Sequence, residues 1–174
     1  MSAQDSKLFV ISGPSGAGKG TLVTRVRERR SNLGLTVSAT TRAPRKGEVD
    51  GVNYFFLTRE EFDRRVANGE FVEWAEVHGN CYGTLVSEVQ SKLASGSSLI
   101  LEIDVQGALQ VKERFPEAVL IFIKPPSLEV LRERLVGRGT ETPETIELRM
   151  ANAAHELALA DRYDDVVVND DLDR

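Results

Sequence analysis

The sequence predicts an α/β protein built on a five-stranded parallel sheet with flanking helices. Short apolar runs rich in β-branched residues alternate with helix-like segments along the chain, which is typical of parallel sheets. The first of these runs leads into a glycine-rich turn and then into a helix. The chain has 174 residues, of which 41% are hydrophobic, so it can bury one compact core. We therefore expect one domain that spans residues 1–174.

The five expected strands are the apolar runs themselves. They lie at residues 8–12, 35–38, 99–103, 119–123 and 166–168. Capping residues between them mark where helices begin. Thr58 and Glu61 have the spacing of a capping box, and Ser127 precedes an apolar helical run. Thr142 is followed by a proline, which suits the first position of a helix.

Two segments interrupt this alternation. Between residues 36 and 85, aromatic strand-like pieces flank a small helix, and we expect an inserted lobe there. A short lid is expected at residues 135–145, where glycines next to arginines allow the chain to hinge. The remaining segments, 1–35 and 86–174, are expected to form the core of the domain.

The turn after the first strand has the spacing of a P-loop. Four residues separate Gly13 from Gly18, and Lys19 follows at once. The glycines let successive backbone N–H groups point at phosphate oxygens, and the helix N-terminus adds partial positive charge. This predicts a P-loop NTPase-type fold with a turn that binds a polyphosphate. Its residues are Gly13, Pro14, Ser15, Gly16, Ala17, Gly18, Lys19, Gly20 and Thr21.

One position departs from the usual motif. Gly20 stands where a serine or threonine would ligate Mg²⁺, and Thr21 follows one residue later. This departure argues against a GTPase or a motor ATPase, which fix their metal through that hydroxyl. The Gly-Lys-Gly-Thr order fits the variant of the motif in nucleoside monophosphate kinases.

Composition and charge exclude several other classes of protein. A net charge of −5 gives no general attraction to nucleic acid or to an anionic membrane, so we expect neither as a partner. Cys81 is the single cysteine, which excludes an internal disulfide and a cysteine-based zinc site. The chain has no apolar run of membrane-spanning length and no apolar signal core at its start. We therefore expect a cytoplasmic protein.

Two clusters of arginines are candidates for binding phosphate. Arg42 and Arg45 lie on a loop stiffened by a proline, and guanidinium groups bind phosphate through two parallel hydrogen bonds. The alternative for this loop is surface pairing with nearby acids, Glu48 and Asp50.

In the second cluster, Arg134 and Arg138 share one helical face and Arg149 follows further along. Such arginines can close over phosphates and neutralise their charge during transfer. The alternative is a salt-bridged surface helix that involves Glu133 and Glu141.

Several motifs, in the same order and nearly from end to end, resemble those of guanylate kinases. They are the P-loop and residues 40–48, 73–75, 79–84, 101–107 and 137–142. The resemblance implies transfer of the γ-phosphoryl group of ATP to GMP and dGMP, with Mg²⁺ as cofactor. ATP and GMP are thus the expected small-molecule partners.

By matching position, the resemblance assigns roles to individual residues. Those expected at the guanine base are Ser38, Glu73 and Thr84, with Glu102 and Asp104 nearby. Those expected at the GMP phosphate are Arg42, Arg45, Tyr54 and Tyr82. Lys19, Arg42, Arg134, Arg138 and Arg149 are expected to be catalytic, and Asn169 is expected to bind ATP.

The chemistry of guanine agrees with these assignments. Guanine presents two adjacent N–H donors, so the ionised carboxylate of Glu73 can accept both, and the hydroxyls of Ser38 or Thr84 can donate to O6. Adenine would place an acceptor opposite that charge, and leaving the carboxylate without its donors would cost about 2–5 kcal/mol of binding free energy. Asp104 is the candidate on the metal side, and whether it and Glu102 serve metal, guanine or ribose stays open.

Two rivals share this pattern. A non-catalytic interaction module would keep the fold but lose donor-site residues, whereas Gly13, Gly18, Lys19 and the three arginines of the second cluster are all present. The second rival is a kinase for AMP or another monophosphate, and Glu73 with Ser38 and Thr84 argues against it. Guanylate kinases usually continue into a further helix beyond the position of Arg174. We expect its absence to lower stability more than it changes the chemistry.

Overall fold

The computed structural model describes residues 6–170, which form two sheets and six α-helices. The strands are β1 (Leu8–Ser12), β2 (Leu33–Leu35), β3 (Ala39–Thr40), β4 (Phe55–Phe56), β5 (Phe71–Val77), β6 (Asn80–Leu85), β7 (Ser98–Glu102), β8 (Val119–Lys124) and β9 (Asp165–Val168). The helices are α1 (Lys19–Arg29), α2 (Arg59–Ala67), α3 (Val86–Ala94), α4 (Val105–Arg114), α5 (Leu128–Gly137) and α6 (Pro143–Leu157).

The central sheet has five parallel strands in the order β2-β7-β1-β8-β9, which confirms the predicted fold class. Successive side chains of a strand point to opposite faces, so each face has its own core. On one face, Val10 and Leu99 pack with residues of α3 and α4. On the other face, Ile11 and Ile100 pack with Val23 of α1. Helices that cover both faces of the sheet explain why β1, β7 and β8 are almost wholly apolar, whereas β9 at the edge is exposed along its length.

The second strand lies earlier than the sequence predicts. β2 pairs in parallel with β7 from Leu33 to Leu35, whereas the prediction placed this strand at residues 35–38. Gly34 weakens the strand signal in the sequence, yet it allows close packing, because a Cβ there would lie 3.2 Å from Cδ2 of Leu99. Residues 36–38 instead leave the central sheet and lead into β3.

The second sheet has four strands in the order β4-β3-β6-β5, with β6 antiparallel to both of its neighbours. All four strands lie between residues 39 and 85, within the segment where an inserted lobe is predicted. Its core contains Phe62 of α2, which is fully buried and stacks 4.4 Å from the ring centroid of Phe71. The division of the chain into core, lobe and lid remains a prediction.

The three predicted helix starts are confirmed by their caps. The hydroxyls of Thr58, Ser127 and Thr142 accept hydrogen bonds from the backbone three residues later, at 3.1, 3.1 and 3.2 Å. Glu61 does not complete the capping box, because its carboxylate instead accepts from two arginines of the same helix. Among residues 6–170, no helix has the length and apolarity needed to cross a membrane.

An apolar groove of about 580 Å³ opens between α1 and the central sheet. Its wall includes Phe9, Leu22, Val26 and Ile121. This groove is separate from the P-loop, because no P-loop residue lines it among the described residues.

The cap of α2 yields a test of stability. Thr58→Ala removes the acceptor for the N–H of Glu61, and we expect the free energy of unfolding to fall by about 1 kcal/mol. Thr58→Ser keeps the hydroxyl and should lose less than half of that amount. Urea denaturation of the three proteins measures the difference. Equal losses in both variants would assign the effect to the lost methyl group instead of the hydrogen bond.

Candidate active site

The P-loop joins β1 to α1 and packs tightly on the carboxyl ends of two other strands. Gly13 lies over β8, where a Cβ would come within 2.1 Å of the carbonyl oxygen of Ile123. Gly18 caps α1 in the left-handed conformation, with φ of 86° and no side-chain cap hydrogen bond. The first turn of α1 therefore presents its N–H groups without competition from a capping side chain.

A cavity of about 410 Å³ lies over the P-loop. The described residues that line it outside the P-loop are Glu102, Asp104, Arg138 and Glu156. This volume lies within the range of small-ligand sites. Its wall combines backbone N–H groups, a lysine and an arginine, which is a set suited to polyphosphate.

Lys19 points its ammonium group back along the P-loop. Its Nζ donates to the carbonyl oxygen of Gly13 at 2.6 Å. Burial lowers the pKa of Lys19, while the charges of Glu102, Glu156 and Asp104 oppose that shift. A phosphate in the cavity would be a stronger acceptor than a neutral carbonyl, so the ammonium is poised to bind one.

Helices α5 and α6 bring the three predicted transfer arginines to the P-loop. Arg149 donates to the hydroxyl of Ser15 at 2.8 Å and to Glu141 at 2.6 Å. Arg134 donates to the backbone carbonyl of Asn169 at 2.9 Å. Arg138 follows α5 directly and lines the cavity. The alternative of pairing with acids thus applies to Arg149, which nevertheless also contacts the P-loop.

Glu156 is the one residue of the cavity wall that the sequence analysis does not identify. It lies on α6 seven residues after Arg149, so the two occupy the same face of the helix. Burial raises the pKa of Glu156, and the neighbouring charge of Asp104 adds to this shift while that of Lys19 opposes it. Its spacing of two helical turns from Arg149 is the feature of the sequence that could have identified Glu156 as a residue of the site.

Asp104 lies at the junction of β7 and α4, where it caps the helix. Its Oδ1 accepts from the N–H of Gly107 at 2.7 Å. Among residues 6–170, no cluster of three or more histidines, cysteines or carboxylates could hold a metal unaided. Asp104 and Glu102 nevertheless border the phosphate cavity together. This donor set fits Mg²⁺ that is held largely by phosphate and water.

Glu73 lies on β5 opposite Thr84 of β6. The hydroxyl of Thr84 donates to Oε1 of Glu73 at 2.8 Å. Burial raises the pKa of Glu73, and the nearby Asp104 adds to this shift. A Cβ at Gly107 would come within 3.3 Å of Oε2 of Glu73, so this carboxylate reaches the start of α4 and therefore the edge of the phosphate cavity.

This geometry changes one expectation. The sequence analysis allowed the hydroxyl of Thr84 to donate to O6 of guanine, but here it donates to Glu73 instead. The predicted partner Ser38 is half-buried on the segment that enters β3, and its carbonyl accepts from the N–H of Phe55 at 2.9 Å. Ser38 therefore retains a hydroxyl for which the structure gives no other hydrogen bond among the described residues.

The loop after β3 holds Arg42 against an acid and an aromatic ring. Nη1 and Nη2 of Arg42 donate to the two carboxylate oxygens of Glu48 at 2.9 and 3.0 Å. The guanidinium carbon lies 5.2 Å from the ring centroid of Tyr54. The hydrogen bonds to Glu48 raise the pKa of Arg42, and the hydroxyls of Tyr54 and Tyr82 contribute. Three of the four predicted phosphate ligands are thus neighbours.

The fourth predicted phosphate ligand, Arg45, has an exposed side chain. Only its backbone N–H joins the cluster, by donating to Glu48 at 2.7 Å. The carboxylate of Glu48 thus binds both arginine positions, and these contacts lower its pKa. The alternative for this loop was pairing of its arginines with nearby acids. Arg42 and Glu48 do pair in this way, whereas Asp50 accepts a hydrogen bond from the backbone N–H of Phe56 at 2.9 Å.

Asn169 is buried below the P-loop, beyond the wall of the cavity. Its side-chain amide donates to the carbonyl oxygen of Ala17 at 2.8 Å. Neither Asn169 nor Ala17 is among the residues that line the cavity, whereas the other predicted ATP-binding residues are. Asn169 therefore does contact the P-loop, but it does so at Ala17, from below the loop.

Comparison with known proteins agrees with this geometry. The family model described as guanylate kinase matches residues 5–174. A guanylate kinase of Gloeobacter violaceus is 59% identical over 96% of this chain and 82% of that protein. One of Halalkalibacterium halodurans is 54% identical over 99% of this chain and 85% of that protein.

The fold also matches a solved structure. The crystal structure of guanylate kinase from Anaplasma phagocytophilum superposes with a TM-score of 0.69 at 40% identity, covering 96% of this chain and 78% of that one. Sequence and fold agree over nearly the whole chain, and the chain belongs to the guanylate kinase family.

Proposed function

We propose that this chain catalyses transfer of the γ-phosphoryl group of ATP to GMP, which yields ADP and GDP. The observation that carries this proposal is the junction at Asp104 and Gly107. There the phosphate cavity of the P-loop adjoins the half-buried carboxylate of Glu73 on the second sheet. A donor polyphosphate and an acceptor base can therefore occupy neighbouring sites.

The donor site would bind ATP through its phosphates. The backbone N–H groups of the P-loop and of the first turn of α1 would donate hydrogen bonds to the phosphate oxygens, and Lys19 would exchange its bond to the Gly13 carbonyl for one to a phosphate. Mg²⁺, held by phosphate and water with Asp104 and Glu102 nearby, would supply charge neutralisation when bound.

The acceptor site would recognise guanine through Glu73. The bond from Thr84 to Oε1 fixes the orientation of the carboxylate, which is then presented to N1–H and the 2-amino group of the base. Because Thr84 donates to Glu73, Ser38 is the better candidate to donate to O6. None of these contacts reads the ribose, so dGMP should serve as an acceptor as well.

The acceptor phosphate would bind beside Arg42, Tyr54 and Tyr82. Glu48 holds the Arg42 guanidinium in place before the substrate arrives, which lowers the entropic cost of binding. Arg45 is exposed, so it would join the phosphate only after its side chain reorients.

The transfer itself needs no protein nucleophile. An oxygen of the GMP phosphate attacks the γ-phosphorus of ATP, the bond from that phosphorus to the β–γ bridging oxygen breaks, and ADP leaves. Arg138 and Arg149 at the cavity and Arg134 behind it would neutralise the charge that the two nucleotides share. Closure of the acceptor sheet and the segment after α5 would exclude water.

The catalytic interpretation is favoured over a non-catalytic interaction module. Lys19, the P-loop glycines and the three transfer arginines are all present. Arg138 lines the cavity, Arg149 donates to Ser15 in its wall, and Arg134 lies behind it. A module that only binds a peptide has no use for them.

The direct test is ADP formation from MgATP with GMP, dGMP, AMP, UMP or no acceptor. We expect turnover that depends on GMP or dGMP, with the other acceptors at least ~100-fold slower in kcat/KM, because a mismatched base leaves the Glu73 charge unpaired. Lys19→Met serves as the inactive control. Turnover with AMP at a similar rate would contradict the assignment of Glu73, and a folded protein inactive with every acceptor would contradict kinase function.

Substitution of Glu73 tests the base recognition itself. In Glu73→Gln, the NH₂ end of the amide is a donor that faces a donor of guanine. We therefore expect kcat/KM for GMP to fall roughly 30- to 1,000-fold, which corresponds to a loss of about 2–4 kcal/mol in transition-state stabilisation. The KM for ATP should stay within about twofold. Glu76→Gln is the matched control, because Glu76 is an exposed residue of the same strand. An equal loss of kcat/KM in both variants would show that removal of a negative charge from β5, and not loss of base recognition, causes the effect.

A further inference from the structure

The segment that leads from the central sheet into the second sheet is held by two side chains of α3. Oε1 of Glu88 accepts from the N–H of Val37 at 3.0 Å. Nζ of Lys92, one helical turn further on, donates to the carbonyl of Leu35 at 2.7 Å and pairs with Oε1 of Glu88 at 2.7 Å. Residues 36–38 belong to neither sheet, so these side chains supply backbone hydrogen bonds that strand pairing does not supply there.

Glu88 is itself held in place by the helix that carries it. It lies in the first turn of α3, where the partial positive charge of a helix N-terminus stabilises a carboxylate. Its side chain is 12% exposed. Val89, the next residue, is fully buried in the core between α3 and the central sheet. The bond from Val37 to Glu88 therefore ties the segment to the core of the domain.

The first turn of α3 lies beside all three residues that are proposed to read the guanine base. Ser38 directly follows the residue that Glu88 binds. The N–H of the first residue of α3 donates to the carbonyl of Glu70 at 2.9 Å, three residues before Glu73. Thr84 precedes the helix by two residues. One helix turn thus contacts or continues each of the three chain segments that form the base site.

Ser38 lacks the support that the other two residues have. Glu73 and Thr84 lie on paired strands and bind each other. Ser38 lies outside both sheets, and its carbonyl accepts from the N–H of Phe55 at 2.9 Å. The bond to Glu88 at the preceding residue is the corresponding support on the side of the central sheet. The position of the Ser38 hydroxyl therefore depends on that bond.

We propose that Glu88 is a positioning residue for base recognition, which holds the Ser38 hydroxyl where it can donate to O6 of guanine. This inference rests on the proposed function, in which Ser38 is the donor to O6. Glu88 acts through the backbone of Val37 and not by touching the base. Its loss should weaken the use of GMP and leave the use of ATP unchanged.

The test is a double-mutant cycle between Glu88 and Ser38, with kcat/KM for GMP measured at saturating MgATP. Glu88→Met keeps a long, helix-forming side chain but removes the acceptor of the Val37 N–H. We expect kcat/KM for GMP to fall about 3- to 10-fold in Glu88→Met and about 5- to 20-fold in Ser38→Ala. The double variant should lose no more than about twofold beyond Ser38→Ala, because no hydroxyl is left to position. The KM for ATP should stay within about twofold throughout.

Two further variants separate the hydrogen bond from the charge. Glu88→Gln keeps an oxygen that can accept from Val37, so it should restore kcat/KM for GMP to within about twofold of the unaltered protein. Glu60→Met makes the same change as Glu88→Met at an exposed glutamate in the first turn of α2, and it should leave every constant unchanged. Thermal unfolding shows whether each variant folds, and Glu88→Ala replaces Glu88→Met if the latter does not.

Each outcome decides the proposal. Losses that multiply in the double variant would contradict it, because Glu88 would then act independently of Ser38. An unchanged kcat/KM for GMP in either single variant would contradict it as well, and so would a loss in Glu88→Gln equal to that in Glu88→Met. Failure of the proposed function is distinguishable, because the unaltered protein would then show no turnover that depends on GMP.

Discussion

The close packing of the P-loop on the carboxyl ends of the parallel strands is the constraint on which the rest of the site depends. Gly13 contacts the backbone of β8, and Gly18 contacts the amide of Asn169 after β9, at distances that no side chain would permit. All strands of a parallel sheet end at the same edge, so the groups that follow them are brought to one place. Glu102, the last residue of β7, and Asp104, which follows the strand, border the P-loop cavity for this reason.

In the proposed function, the junction between the two sheets would link phosphate binding to base recognition. Asp104 lies between β7 and α4, caps α4 through the N–H of Gly107 and borders the phosphate cavity. Gly107 has no side chain and lets Glu73 of the second sheet approach the same turn. One helix start therefore contacts both halves of the site. The raised pKa of Glu73 is a consequence of this burial, which would be repaid when guanine supplies two hydrogen-bond donors.

Local signals explain what could be predicted from the sequence. The strands β1, β7, β8 and β9 and the capped helices depend on neighbouring residues, so pattern and capping chemistry located them within one or two residues. β2 was misplaced because Gly34 serves a contact with a distant strand. The bond from Thr84 to Glu73 depends on antiparallel register, and the contact of Asn169 with Ala17 spans 152 residues. Such partners are set by tertiary packing, which no local pattern encodes.

Binding of a single ligand that carries both nucleosides would test most directly whether donor and acceptor sites face each other. Adenosine and guanosine joined through five phosphates span the two sites, and linking turns the second binding event into an intramolecular one. Titration calorimetry should give one site per chain, with affinity about 100- to 10,000-fold higher than that of ATP or GMP alone. An affinity no better than that of the tighter single nucleotide would contradict the account, because the two sites would then not form one continuous cavity.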